Sequence, residues 1–164
     1  MSSPISPPCA VERRRFLRQT AECAAGAAVT LLLAIRPARA TPEEMRAAIR
    51  QTIGPAAPHD GRVLLDLPPL VENGNAVPLT VTVDSPMTGQ DHVVAIHLFN
   101  EKNPQPYVAS FHLGPRAGRA QVSTRIKLAD SQQVIAIAQM SDGSFWQGGA
   151  KVIVTIAACV EDVN

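Results

Sequence analysis

Aromatic residues are scarce in this chain, with four Phe, one Trp and one Tyr among 164 residues. Aliphatic side chains must therefore build most of any core. With 46% hydrophobic and 18% charged residues, the balance is the reverse of a disordered chain's, which points to a single globular domain with an appendage. Long hydrophobic runs are also missing. None reaches the ~20 apolar residues of a membrane-spanning helix, which argues against an integral membrane protein. No excess of positive charge exists, with 15 Lys+Arg against 14 Asp+Glu, and this excludes a dedicated nucleic-acid binder. Cysteine is limited to three, an odd number that cannot pair completely. There is no Gly-rich phosphate loop, and no serine sits in a nucleophile elbow. Nothing in these absences suggests an enzyme.

What is present begins with an address. Residues 11–18 read Val-Glu-Arg-Arg-Arg-Phe-Leu-Arg. Arg13, Arg14, Phe16, Leu17 and Arg18 fill the positions of a twin-arginine export signal, with Glu12 where Ser or Thr usually stands. A weakly apolar stretch from Ala24 to Ile35 follows, then Ala38 and Ala40 as the small residues of an A-x-A cleavage site, so a cut is expected after Ala40. An uncleaved anchor is disfavoured because the apolar stretch is short and rich in Ala and Gly. Neither Cys9 nor Cys23 follows a lipoprotein box. Residues 1–40 are thus read as a leader to the periplasm, residues 41–156 as the domain, and residues 157–164 as a C-terminal arm. Removing the leader leaves a mildly acidic chain whose single cysteine is Cys159.

The domain opens with one helix over residues 42–53. Thr41 suits the cap, Pro42 the first turn, and Glu43 and Glu44 the positive end of the helix dipole. Met45, Ala48, Ile49 and Ile53 share a face, and Gly54-Pro55 ends the element. Beyond it the period falls to two. Strands are expected at 63–67, at 77–83, at 92–99 with Val94, Ile96 and Leu98 on one face, and at 107–113. Further strands are expected at 119–128, at 134–140 in a central position, and at 145–156. Asn73-Gly74 and Asp142-Gly143 read as hairpin turns, and Gly148-Gly149 as a bulge or bend. About seven strands with regular turn signals specify an all-β, immunoglobulin-like sandwich with a short N-terminal helix and a flexible C-terminal arm. A lone Trp146 and no internal disulfide exclude the antibody-type core.

Several stretches carry a family resemblance. They are ENGNAVPLTVTVDSPMT (72–88), VVAIHLFNEKNP (93–104), GRAQVSTRIKLA (118–129), AIAQMSDGSFW (136–146) and the final KVIVTI leading into the cysteine-bearing arm. In these the chain resembles SoxY, the carrier of sulfur intermediates in periplasmic thiosulfate oxidation. The resemblance implies a non-enzymatic carrier that pairs with a second sandwich protein, SoxZ, and holds sulfur cargo covalently on Cys159 without any cofactor. It also implies that a c-type cytochrome enzyme loads the arm and a hydrolase releases sulfate. The arm departs from the Gly-Gly-Cys-Gly-Gly of SoxY proper. It reads Ala157-Ala158-Cys159-Val160-Glu161 and resembles the related group with Ala-Ala-Cys-Ile-Glu.

The arm's own residues agree with a carrier and qualify it. A lone exported cysteine is a free thiol, a mixed disulfide or an intermolecular bridge, and thiolate exchange makes and breaks bonds to sulfur cargo. Ala157, Ala158 and Val160 stiffen the backbone relative to glycine. Glu161, Asp162 and the terminal carboxylate disfavour a thiolate, so Cys159 should ionise less than a free cysteine until a partner supplies a cation. The bland alternative is a small apolar cysteine with no role. Two other function classes remain: an interaction module that docks on a periplasmic oxidoreductase, and a metal-delivery protein using His92, His97, Met87 and Met140. The spacing of the two His, on opposite faces of one strand, speaks against a metal. His112 reads as an ordinary hydrogen-bonded histidine, and Pro104 and Pro106 as turn or edge devices.

Overall fold

The computed structural model describes residues 40–156. Helix α1 spans Pro42–Ile53, the bounds expected from its caps. The Thr41 side chain accepts the Glu44 N–H while the Thr41 N–H donates to the Glu44 carboxylate at 2.8 Å, a reciprocal capping box. Gly54, at φ 70°, ends the helix and donates its N–H to the Arg50 carbonyl. No described helix is long and apolar enough to cross a membrane.

Nine strands follow: β1 His59–Asp60, β2 Val63–Asp66, β3 Leu70–Asn73, β4 Val77–Val83, β5 Val93–Asn100, β6 Tyr107–His112, β7 Gln121–Ile126, β8 Gln132–Met140 and β9 Phe145–Ile156. The larger sheet runs β1–β9–β8–β5–β6, and β3 pairs with β9 as well. The smaller sheet is β2–β4–β7. The two sheets form the expected immunoglobulin-like sandwich, and β8 is central in its sheet as its two apolar faces require. Val77, Leu79, Val81 and Val83 from β4 meet Ile96, Leu98, Val134, Ala136 and Val152 from the larger sheet in one core. Each fully buried aliphatic side chain there contributes about 1.5–3 kcal/mol. The small residues Ala136 and Ala138 on β8 let the sheets approach with few aromatics between them.

A second, smaller core sits on the other side of the larger sheet, where Met45 and Ile53 of α1 cover Phe99 and Ile137. It explains why β5 is buried on both faces over Ala95–Asn100 rather than on one. The expected phase of β5 also needs correction at its start. A register shift between Val93 and Ala95 places Val93 in the main core and leaves Val94 out of it. One extra residue reverses the alternation ahead of it.

Two turn readings differ from the structure. Asn73-Gly74 makes no hairpin. Asn73 keeps φ −131° and its side chain accepts the Asn75 N–H, opening a short 3-10 turn over Gly74–Ala76 that carries the chain from β3 in one sheet to β4 in the other. Gly148-Gly149 makes no bulge, because the β8–β9 register runs unbroken from Gln132↔Val152 to Gln139↔Phe145. Its purpose is close approach: a Cβ on Gly148 would collide with the Val63 carbonyl of β2. By contrast, Asp142-Gly143 does close the β8–β9 hairpin, with Gly143 at φ 84°.

Candidate functional site

The site follows from where β9 ends. Strand β9 is the longest among the described residues, and its C-terminal half is held on both sides. Along one edge β3 runs parallel to it, pairing Leu70 with Ile153, Val71 with Val154 and Asn73 with Ile156. The Thr155 hydroxyl adds bonds to the Glu72 and Val71 carbonyls at 3.2 and 3.5 Å. Along the other edge, beyond the last β8 pair, the Ser131 hydroxyl accepts the Val154 N–H at 2.8 Å. The strand is thus fixed up to Ile156, and the next residues of the chain are Ala157, Ala158 and Cys159.

Ser131 is itself positioned by a polar network. Asn103 donates to the Lys127 carbonyl and accepts from the Ala129 N–H and from the Gln132 side chain, all within 3.0 Å. The buried Gln132 in turn accepts the Lys102 N–H at 2.7 Å, and the Lys102 ammonium pairs with Asp130 at 3.1 Å. This ties the β5–β6 connection to the β7–β8 connection. It gives the EKNP stretch a structural role in holding the end of β9. Pro106 also serves the turn, its carbonyl accepting the Asn100 N–H.

Arm residues Cys159, Ala157, Ala158, Val160 and Glu161 lie outside the described residues, as do Arg13, Arg14, Phe16 and Leu17 of the leader. Ala40, at the expected cut, is buried, and its N–H donates to the Asn103 carbonyl.

The residues weighed for a metal are dispersed. His92 lies just ahead of β5, its backbone N–H on the Ser141 hydroxyl. His97 is in β5, where its ring nitrogen meets the Tyr107 hydroxyl at 3.4 Å. His112 pairs with Ser110. Met87 and Met140 are inside the main core, and the Met87 sulfur accepts the Val93 N–H. Among the described residues no three His, Cys, Asp or Glu side chains come together to hold a metal. Burial, and then the charge of His112, lower the pKa of His97, so its neutral form is favoured.

The arm root carries one feature that strand periodicity did not reveal. Leu70, Ile153 and Ile156 are exposed there, although their neighbours Val152 and Val154 are drawn into the core. Only the parallel β3–β9 pairing, made between segments far apart in sequence, brings Leu70 beside Ile153.

Comparison with known proteins gives a consistent picture. Residues 49–159 match the family described as Sulfur oxidation protein SoxY, a span that closes on Cys159. The sulfur carrier protein SoxY from Chlorobium limicola f thiosulfatophilum is 28% identical, with a TM-score of 0.60, covering 71% of this chain and 100% of its own. A superoxide reductase (neelaredoxin) from Ignicoccus hospitalis shares the fold alone: 16% identity, TM-score 0.52, 70% of this chain and 94% of its own. No curated protein matches the chain.

Proposed function

The chain belongs to the SoxY family of sulfur oxidation proteins, and we propose on that footing that it is a periplasmic carrier holding sulfur intermediates covalently on Cys159. The observation that carries this reading is the family match ending on Cys159, three residues beyond a strand fixed by β3 and Ser131. A fixed strand end with a short tether presents one thiol to successive enzymes while the sandwich stays rigid. The carrier supplies the sulfur atom and its position; bond making and breaking belong to its partners.

The loading step is an oxidation. The Cys159 thiol loses its proton, the terminal sulfur of thiosulfate bonds to it, and the two electrons released pass to a c-type cytochrome. Hydrolysis then releases sulfate and leaves a sulfur atom on the cysteine. Because Glu161 and Asp162 disfavour the thiolate, the proton is expected to leave inside a partner's basic channel, where the acidic residues also serve as a recognition tag. A SoxZ-like sandwich protein is the expected companion, and the twin-arginine leader would carry both across the membrane already folded.

A strain bearing Cys159→Ser tests the reading. It should lose thiosulfate oxidation while exporting normal amounts of folded protein. Wild-type oxidation in that strain would remove the thiol from the mechanism.

A further inference from the structure

We propose that Leu70, Ile153 and Ile156 form the docking surface on which the enzyme that loads Cys159 seats itself. This rests on the carrier reading above.

Cys159 is three residues beyond Ile156, and a fully extended chain covers at most about 3.6 Å per residue. The cysteine Cα therefore lies no farther than about 11 Å from a strand end that is fixed in place. An enzyme whose reacting centre lies below its own surface can reach that sulfur only by bringing its rim against the end of β9. What that rim would meet is apolar. The described residues include five exposed large hydrophobic side chains, and three of them are at this one place: Leu70 at 58%, Ile153 at 59% and Ile156 at 65% exposure.

The register sets Leu70 beside Ile153 on one face and leaves Ile156 at the strand end. Leu70 and Ile153 are directly paired across β3 and β9, so their side chains share a face. Ile156 lies three residues on, where the alternation turns it toward the inner side of the sheet, beyond the end of the core. Exposed apolar side chains thus stand on both faces of the strand end that precedes Ala157. Unpaired apolar clusters of this kind on an otherwise polar surface mark protein contacts. The surroundings supply a polar rim: Lys151 is exposed on the same strand and face as Ile153, and Glu72 and Thr155 flank the pair. The occupant inferred is therefore a protein with an apolar collar around a narrow, cation-bearing channel, seated transiently and released once the arm is loaded.

The test compares strains exporting Leu70→Asp or Ile153→Asp with one exporting Leu64→Asp, which is equally exposed but lies in β2 of the other sheet. Intact mass, read without reductant, reports the fraction of chains carrying a sulfur adduct on Cys159. Reaction of each purified chain with dithiobis(nitrobenzoate) reports whether the thiol itself is intact. Leu70→Asp and Ile153→Asp should lower the adduct fraction about tenfold or more, with the reagent rate and the eluted particle mass unchanged, while Leu64→Asp loads normally. Ile153→Thr, which keeps the β-branched shape, tests the same contact if an aspartate there disturbs the strand. Normal loading of all the patch variants would overturn the surface. A changed particle mass would overturn it too, by assigning the patch to a permanent subunit contact. Absence of adduct from the wild-type chain would overturn the carrier reading, and the surface with it.

Discussion

At the scale of single residues, two side-chain positions make sharp and opposite claims. Gly148 and Gly149 are adjacent in β9 and indistinguishable in sequence, yet only the first is pressed against backbone. Gly148→Ala forces its Cβ onto the Val63 carbonyl, which cannot give way without parting the sheets, so a loss of about 1–3 kcal/mol is expected. Gly149→Ala meets the end of the flexible Gln133 side chain at 3.2 Å, and should be close to neutral. Urea unfolding of the two variants checks the contrast, and equal effects would contradict the close approach. His97 makes a claim about pH. Burial, with His112 second, lowers its pKa from the ordinary 6.5. Below that value the unfolded chain takes a proton that the folded chain resists. Stability present above it is therefore lost as the pH falls toward the folded pKa of His97. Urea midpoints should fall between about pH 7.5 and about pH 5.5, and fall less in His97→Gln, which keeps a partner for the Tyr107 hydroxyl. The same drop in both proteins would place the titration elsewhere.

At the scale of elements, α1 is a small amphipathic cover rather than part of the sandwich. Its worth is set by its cap and by two anchors. Thr41→Ala removes half of the capping box and should cost about 1 kcal/mol. Met45→Ala opens the small core over Phe99 and Ile137 and should cost about 2–4 kcal/mol. A Met45→Ala variant as stable as wild type would mean that the helix is not held by that core. The elements also divide by how far they could be read in advance. Helix α1 and strand β9 have the bounds expected from sequence because Thr41, Pro42 and Gly54, and Asp142-Gly143, are local signals acting on the chain beside them. Asn73-Gly74 misled because the same dipeptide serves a hairpin and an Asn-capped 3-10 turn, and the choice depends on which strand β3 pairs with. Val94 misled because a one-residue register shift is made with the distant β8, where Val93 pairs with Met140 and Ala95 with Gln139. The proposed carrier cysteine, Cys159, is legible as the one thiol that remains if the expected leader is removed. The patch at its root is not, since Leu70 and Ile153 meet only through a parallel pairing that no periodicity encodes.

At the scale of the whole molecule, the proposed carrier would divide labour between the sandwich and the few residues from its last strand to Cys159. The pairing with β3, the Ser131 hydroxyl and the Asn103 network beside it hold the end of β9. The cysteine proposed to carry the cargo is three residues beyond it in the sequence. On the proposed reading, partners would supply the cations, the electron acceptor and the water. The central claim is that Cys159 carries sulfur cargo by a covalent bond. Intact mass of the protein taken from the periplasm of cells oxidising thiosulfate, before and after reductant, tests it most directly. The expected result is a chain with added mass corresponding to sulfur or sulfur–oxyanion groups, located on Cys159 and lost on reduction. A Cys159 that is always the unmodified thiol would contradict it.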